Sequence, residues 1–224
     1  MTTADAVRRR LGLGRLLPLG GAEDGAWMSE RAAAAVLWRA ATAEAPAVVP
    51  GRLRVGLADP EAATAPAFPP PPGALPPGPL RIEAEFAARA HEPLRPTASA
   101  LREALLRAAD ELLGLVVATV DLRVTDVVDH APQSPTLAPP PEVTAAPAKA
   151  LGTPTATSAS QTPGVAHLTA TLGAPVHLAD DHVRVELATA AGHRALDVAR
   201  AVRAAVTPTL TAPRPVTILI SASL

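Results

Sequence analysis

Apolar and polar residues alternate over Leu80-Arg81-Ile82-Glu83-Ala84-Glu85-Phe86, the period of a strand with one buried face. Beyond it, Leu101, Leu105, Ala108, Ala109 and Leu112 recur three and four residues apart, which predicts a helix over about 97–113 with Gly114 as its C′ residue. Alternation returns over 116–124. The same succession is written again in the second half. Val183-Arg184-Val185-Glu186-Leu187 alternates, and Leu196, Ala199, Val202 and Val206 mark the apolar face of a helix over 194–206. Val216, Ile218 and Ile220 close it as a strand over 215–221. By the helical period Arg194, Asp197, Arg200 and Arg203 face solvent. Both opening strands hold Arg-(Ile or Val)-Glu. A succession written twice predicts an α+β fold of two small duplicated αββαβ-like domains, each a small sheet packed by one or two helices.

The flanking segments complete this layout. Residues 1–28 read as an N-terminal arm, in which Val7, Leu11 and Leu17 could line a short amphipathic helix over 4–17. Such a helix would lie on a membrane or a partner, or cover an edge of the first domain, and its small size favours the edge. Residues 29–128 form the first domain. Ser29 is a plausible N-cap for a helix to about Ala45 whose face is Ala33, Val36, Leu37, Ala40 and Ala41. Leu53, Val55 and Leu57 then alternate with Arg52, Arg54 and Gly56 as a half-buried strand. The insert 59–79 carries nine prolines and reads as a stiff connection between strands, with docking into an aromatic groove as the alternative. Residues 129–162, rich in Pro, Ala, Thr and Ser, read as a linker with a short helical turn near 143–151. Pro147 and Pro154 break the leading helix that the second domain, 163–224, would otherwise share with the first.

Composition narrows the chemistry. With no cysteine among the 224 residues, disulfides, thiolate metal sites and Cys nucleophiles are excluded. A net charge of −1 with arginines scattered beside acids gives no basic stripe, so no nucleic-acid partner is expected. No apolar run is long enough for a membrane span, and the Arg8-Arg9-Arg10 start lacks the apolar stretch of a signal peptide. The densest set of polar side chains is His177, Asp180, Asp181 and His182, two imidazoles and two carboxylates in six residues. It falls on a predicted turn, where Asp-Asp is ordinary turn chemistry, with no third distant ligand in view. His91 and Glu92, and His193 at the matching place in the second half, precede helices without a nucleophile motif nearby; His130 and His167 have no evident partner. Gly12-Leu13-Gly14 and Gly20-Gly21 neither follow a predicted strand nor end in Gly-Lys-(Ser/Thr). No catalytic, cofactor-binding or metal-ligating residue is therefore assigned, no cofactor is expected, and the chain reads as a protein other than an enzyme.

Pro163-Gly164-Val165, the strand His182-Val-Arg-Val-Glu-Leu187, the helix Ala195–Val206 with its Val-Arg-x-x-Val, and the closing Val-Thr-Ile-Leu-Ile resemble the bacterial alkaline shock, or envelope stress response, protein family. The first copy resembles it more loosely. The whole-chain layout is also similar to a group of streptomycete proteins that carry a nucleopolyhedrovirus-type label. The resemblance covers about 60 residues well and implies small α/β domains without known catalytic residues. It further implies self-association and cytoplasmic attachment to the membrane through partners. The expectation is a non-catalytic interaction or scaffold protein, cytoplasmic or peripheral to the membrane, whose partners are other proteins or its own copies. The alternative is a small-molecule-binding regulatory module formed between the paired domains, marked by a concave pocket at their junction.

Overall fold

In the computed structural model, which describes residues 12–129, 145–147 and 152–224, the chain is mixed α+β with two sheets. Strands β3 (Val48–Leu57), β4 (Leu80–Arg89) and β5 (Val117–Val128) form one, in that order. β3 and β4 are antiparallel. β4 and β5 are parallel, a step that a tight turn cannot make and that helix α2 (Leu94–Ala108) makes as a crossover. The other sheet runs β1 (Leu16–Leu19), β2 (Ala26–Ser29), β9 (Val216–Ser223), β8 (Val183–Thr189), β6 (Val165–Leu168), with β7 (Val176–Leu178) pairing the opposite end of β8. It holds two parallel pairs, β2 with β9 and β8 with β9, and the second is bridged by helix α4 (Ala195–Val206).

Local chemistry sets the helix ends. Ser29 Oγ accepts the Ala32 N–H at 3.2 Å and so caps helix α1 (Glu30–Glu44), as its place in the sequence predicts, and the same hydroxyl donates to the Ser221 carbonyl of β9. The Ala-rich α1 packs on α2, β3 and β9, so one buried core runs from Leu37, Phe86 and Leu105 through to Val202 and Ile218. The end of α2 winds into a π-turn over Ala109–Leu113. The extra residue in that turn slides the apolar face by one position: Leu113 is buried, and Leu112, assigned to the core by a 3.6-residue period, is 40 % exposed. Gly114 then adopts φ +81°, and a Cβ there would stand 2.5 Å from Leu196 of α4. Beside this close approach Arg194 donates to the Asp110 carbonyl and carboxylate at 2.7 and 2.8 Å.

Three expectations are corrected. Leu16 and Leu17, read as the end of a helix over 4–17, lie in β1, and β2 pairs parallel with β9 from the far end of the chain. Four-residue apolar runs carry too little periodicity to tell strand from helix; residues 1–11 lie outside the described residues. Within the stretch read as a linker, Pro154–Gln161 is helix α3, capped by Thr153 Oγ1. Pro154 sits at its first turn, where a missing N–H costs nothing, so this proline starts a helix instead of breaking one. Of residues 143–151 only 145–147 are described, and Ala145 bridges Thr169 of the following segment instead of forming a helical turn. Lastly, Arg203 does not point freely to solvent. Its guanidinium lies 4.5 Å over the Phe68 ring and its Nε donates to the Val216 carbonyl.

These contacts fix two outcomes. Val202 is fully buried on α4, so Val202→Asp, which places an unpaired charge in the core, should cost at least about 3 kcal/mol. Arg203→Ala should cost about 1 to 2 kcal/mol through loss of the ring contact and the carbonyl bond. Urea denaturation midpoints check both, and an Arg203→Ala midpoint equal to wild type would remove the Phe68 contact from the account. A second test concerns Asp24, which joins the N-terminal segment to α4 through Arg200 Nε at 2.7 Å. Burial alone would raise its pKa. The hydrogen bonds from Arg200 and the Gly21 N–H and the charges of Arg200 and Arg203 outweigh that and hold it below the ordinary 3.8. A depressed folded pKa gives stability that is present above 3.8 and lost as pH falls through the lower folded value. Asp24→Asn should therefore be less stable than wild type at neutral pH, with the gap closing in the acid range below 3.8. A gap independent of pH would sink this account.

Candidate functional site

The repeated Arg-(Ile or Val)-Glu places its two charged residues on the outer face of each sheet, away from the shared core. In the sheet of β8 and β9 this face is covered. Register sets Arg184 beside Thr217 and Glu186 beside Leu219. Leu13, Leu16 and Trp27 bury Leu219, with Ala74 of the proline-rich insert and Leu172 packed against them. The insert is therefore more than a stiff connection: Trp27 Nε1 donates to the Leu75 carbonyl at 3.0 Å and Thr217 Oγ1 to the Pro69 carbonyl at 2.8 Å. Its prolines leave carbonyls without competing N–H groups, which suits a strap whose partners are donors.

Glu186 is wholly buried under this cover. Its carboxylate accepts from Thr169 Oγ1 at 3.0 Å, the Thr171 N–H at 2.6 Å and the Leu172 N–H at 2.9 Å, so the charge is spread over three donors of one loop. Thr169 Oγ1 also meets Ser221 Oγ at 2.7 Å. Arg184 is buried too; burial lowers its pKa and the nearby Glu186 carboxylate opposes that shift. The alternating strand read as half-exposed is thus buried on both faces.

The matching face of β3, β4 and β5 is open. Arg54, Glu83 and Asp121 stand side by side across the three strands, then Gly56, Arg81 and Thr119, with Glu85 beside Arg123. All of these but Thr119, together with Arg15, Arg52, Pro60 and Leu75, line an open concavity of about 780 Å³. Arg81 pairs with Asp121 at 3.2 Å and Arg123 with Glu85 at 3.6 Å, both on the surface, where such pairs are worth at most about 1 kcal/mol. At one rim the buried Glu30 accepts the Val55 N–H at 3.0 Å and the Arg15 N–H at 3.3 Å, with Arg54 at 3.9 Å. Neither Glu30 nor Glu186 stands out in the sequence as a buried acid. An acid directly after an N-cap serine is the one local sign of the first, through the positive end of α1; nothing local marks the second.

The histidine cluster is not brought to this site. His177 and His182 rings lie 6.3 Å apart on the outer strand β7 and the turn after it, and His182 Nδ1 meets Asp181 at 2.7 Å. That hydrogen bond holds the Asp181 carboxyl below its usual range. Asp180 lies on the same turn. Among the described residues no three His, Cys, Asp or Glu side chains are grouped to hold a metal ion. His91, Glu92 and His193 are exposed, His193 lying against Gly164, and His167 Nε2 is buried with no hydrogen-bond partner among the described residues. His130 lies outside the described residues. Gly14 and Gly20 have φ of +70° and +67° and flank β1, which they turn into the sheet. Among the described residues no helix is long and apolar enough to cross a membrane.

The two faces predict opposite responses to one substitution. Glu186→Gln removes the charge, keeps one acceptor oxygen and turns an NH₂ toward the Leu172 N–H or toward the Thr169 and Thr171 donors, and should cost about 2 to 4 kcal/mol, whereas Glu83→Gln on the open face should stay within about 0.5 kcal/mol of wild type. Chemical denaturation of the two variants measures both, and equal losses would mean the two faces are not differently covered. No family model, no curated protein and no solved structure matches this chain.

Proposed function

We propose that this chain is a non-catalytic interaction protein that meets its partner through the sheet of β3, β4 and β5. The contrast between the two outer faces carries this reading. The chain spends its N-terminal strands, its proline-rich insert and the loop after β6 on covering one face, and leaves the matching face charged and open beside a free edge strand. Mixed charges on a concave sheet suit a reversible, polar contact between macromolecules better than the enclosure of a substrate. The rows Arg81–Thr119 and Arg184–Thr217, followed by Glu83–Asp121 and Glu186–Leu219, support reading the two strand–helix–strand units as copies of one. On that reading Asp121 is the open counterpart of the buried Leu219. The resemblance of residues 163–220 to the alkaline shock family supports a partner on the cytoplasmic side of the envelope and a peripheral role there.

The second reading is a regulatory module for a small molecule. It is favoured by the five arginines around the 780 Å³ concavity, Arg15, Arg52, Arg54, Arg81 and Arg123, which suit an anionic ligand. Its walls come from the first sheet, the insert and the segment before β1.

A photoreactive residue placed at Arg52 or Thr119, with Leu172 as the control on the covered face, separates these readings in the native host. Adducts to a protein from positions 52 and 119 and none from 172 are expected. Absence of macromolecular adducts at all three positions, together with stabilisation of the purified chain by small phosphorylated or carboxylate anions, would replace the interaction reading with the ligand reading.

A further inference from the structure

The free edge of β5 is self-complementary. The edges at β3, β1 and β6 are each met by another part of the chain at one residue. On β3 the Val55 N–H goes to Glu30 and its carbonyl to Arg15; on β1 the Leu16 carbonyl takes the Leu75 N–H; on β6 the Leu168 carbonyl takes the Ala146 N–H. Among the described residues β5 pairs with β4 alone. Register shifts opposite Leu80/Arg81 and Phe86/Ala87 bound its regular stretch at Thr119–Val124. Arg102 Nε donates to the Val120 carbonyl at 3.3 Å, so this carbonyl points away from β4; by the two-residue period the backbone groups of Leu122 and Val124 do so as well. Val124 is 41 % exposed and Val127 51 % exposed beside that edge.

A two-fold axis through Leu122 brings a second β5 antiparallel to the first, with each position meeting the one equally far on the other side of 122. Val120 then faces Val124 of the other copy, Leu122 faces Leu122, and Asp121 faces Arg123. The outward groups of 120, 122 and 124 fall in hydrogen-bonded positions, about six bonds in all, while Asp121 and Arg123 fall in the closer, non-hydrogen-bonded positions where cross-strand ion pairs form. A shift by one residue either way would set side chains of opposite faces against each other. We propose that β5 pairs with β5 of a second copy of this chain, making one continuous six-stranded sheet across an isologous interface. The proposal rests on the interaction reading above and names the partner at the edge of the same sheet. Arg102 occupies the Val120 carbonyl in the single chain and is displaced by the Val124 N–H of the second copy.

Charge exchange tests this on the full chain by sedimentation velocity. Wild type should be dimeric at micromolar concentration, and Asp121→Arg and Arg123→Asp should each be monomeric, since each sets like charges together twice. An equimolar mixture of the two variants should recover the dimer, because positions 121 and 123 then set opposite charges against each other at both contacts. Local loss of the Arg81 and Glu85 pairs is the same in the mixture as in the separate variants, so recovery reports the contact between copies. Arg102→Ala should strengthen the dimer. The cysteine-free chain allows a second measurement should a charge variant fold poorly: Leu122→Cys should form a disulfide-linked dimer under oxidant, and Thr119→Cys should not. A monomeric wild type with no Leu122→Cys dimer overturns the proposal, as does a mixture that stays monomeric. Adducts to a different protein from position 119 would leave the interaction reading standing without it.

Discussion

Strand β9 lies between two parallel partners, β2 and β8, and the rest of the molecule follows from that position. A parallel pair needs a crossover on at least one face, and here α4 supplies it. A strand buried in this way needs cover on its other face as well. That face carries Glu186 and Arg184, so hydrocarbon alone could not cover it: a carboxylate removed from water needs donors. The loop after β6 brings three, and the N-terminal segment with the proline-rich insert brings the apolar remainder. Segments read from sequence as an appendage and a connection are thus parts of the sheet's cover.

The same constraint acts on the β3–β4–β5 sheet with a different result. Its parallel pair is covered on one face by α1 and α2, whose alanines and leucines pack against Ile82, Ala84 and Phe86. Among the described residues the insert and the segment before β1 only wall the other face, and its charges pair with each other at the surface. Where the covered sheet has Leu219, the open one has Asp121, a residue that would be costly under a lid and costs little in water. The residue set beside the strand's glutamate, Leu219 beside Glu186 and Asp121 beside Glu83, therefore accompanies the difference between the covered face and the open one.

The two halves are also held to each other, and the means are local. Glycine at 114 lets the end of α2 touch Leu196, Arg194 satisfies the carbonyl and carboxylate of Asp110 beside it, and Arg200 reaches Asp24. Each of these joins α4 or the residue that precedes it to a segment distant in the chain, so movement of α4 would disturb both sheets at once. The free edge of β5 lies away from those joints, on the flank of α2 that carries Arg102.

Local pattern alone was enough to place the strands that begin near 80, 117, 183 and 216, the helices between them, the Ser29 cap and the Gly114 stop, because period and capping are properties of a few neighbouring residues. It was also enough to show that one face of each alternating strand is polar. Whether water or protein meets that polar face was settled in three dimensions. Alternation records a side chain's polarity and says nothing of what arrives from elsewhere in the chain, so Arg81-Ile82-Glu83 and Arg184-Val185-Glu186 look alike in sequence and end in opposite environments. Tertiary packing likewise set the place of β1 and β2, too short to show a period, the rotation of Leu112 out of the core by the π-turn, and the capture of Arg203 by Phe68. For β2, Arg203 and Glu186 the deciding partner lies many residues away, and the energy of meeting it is absent from the local pattern.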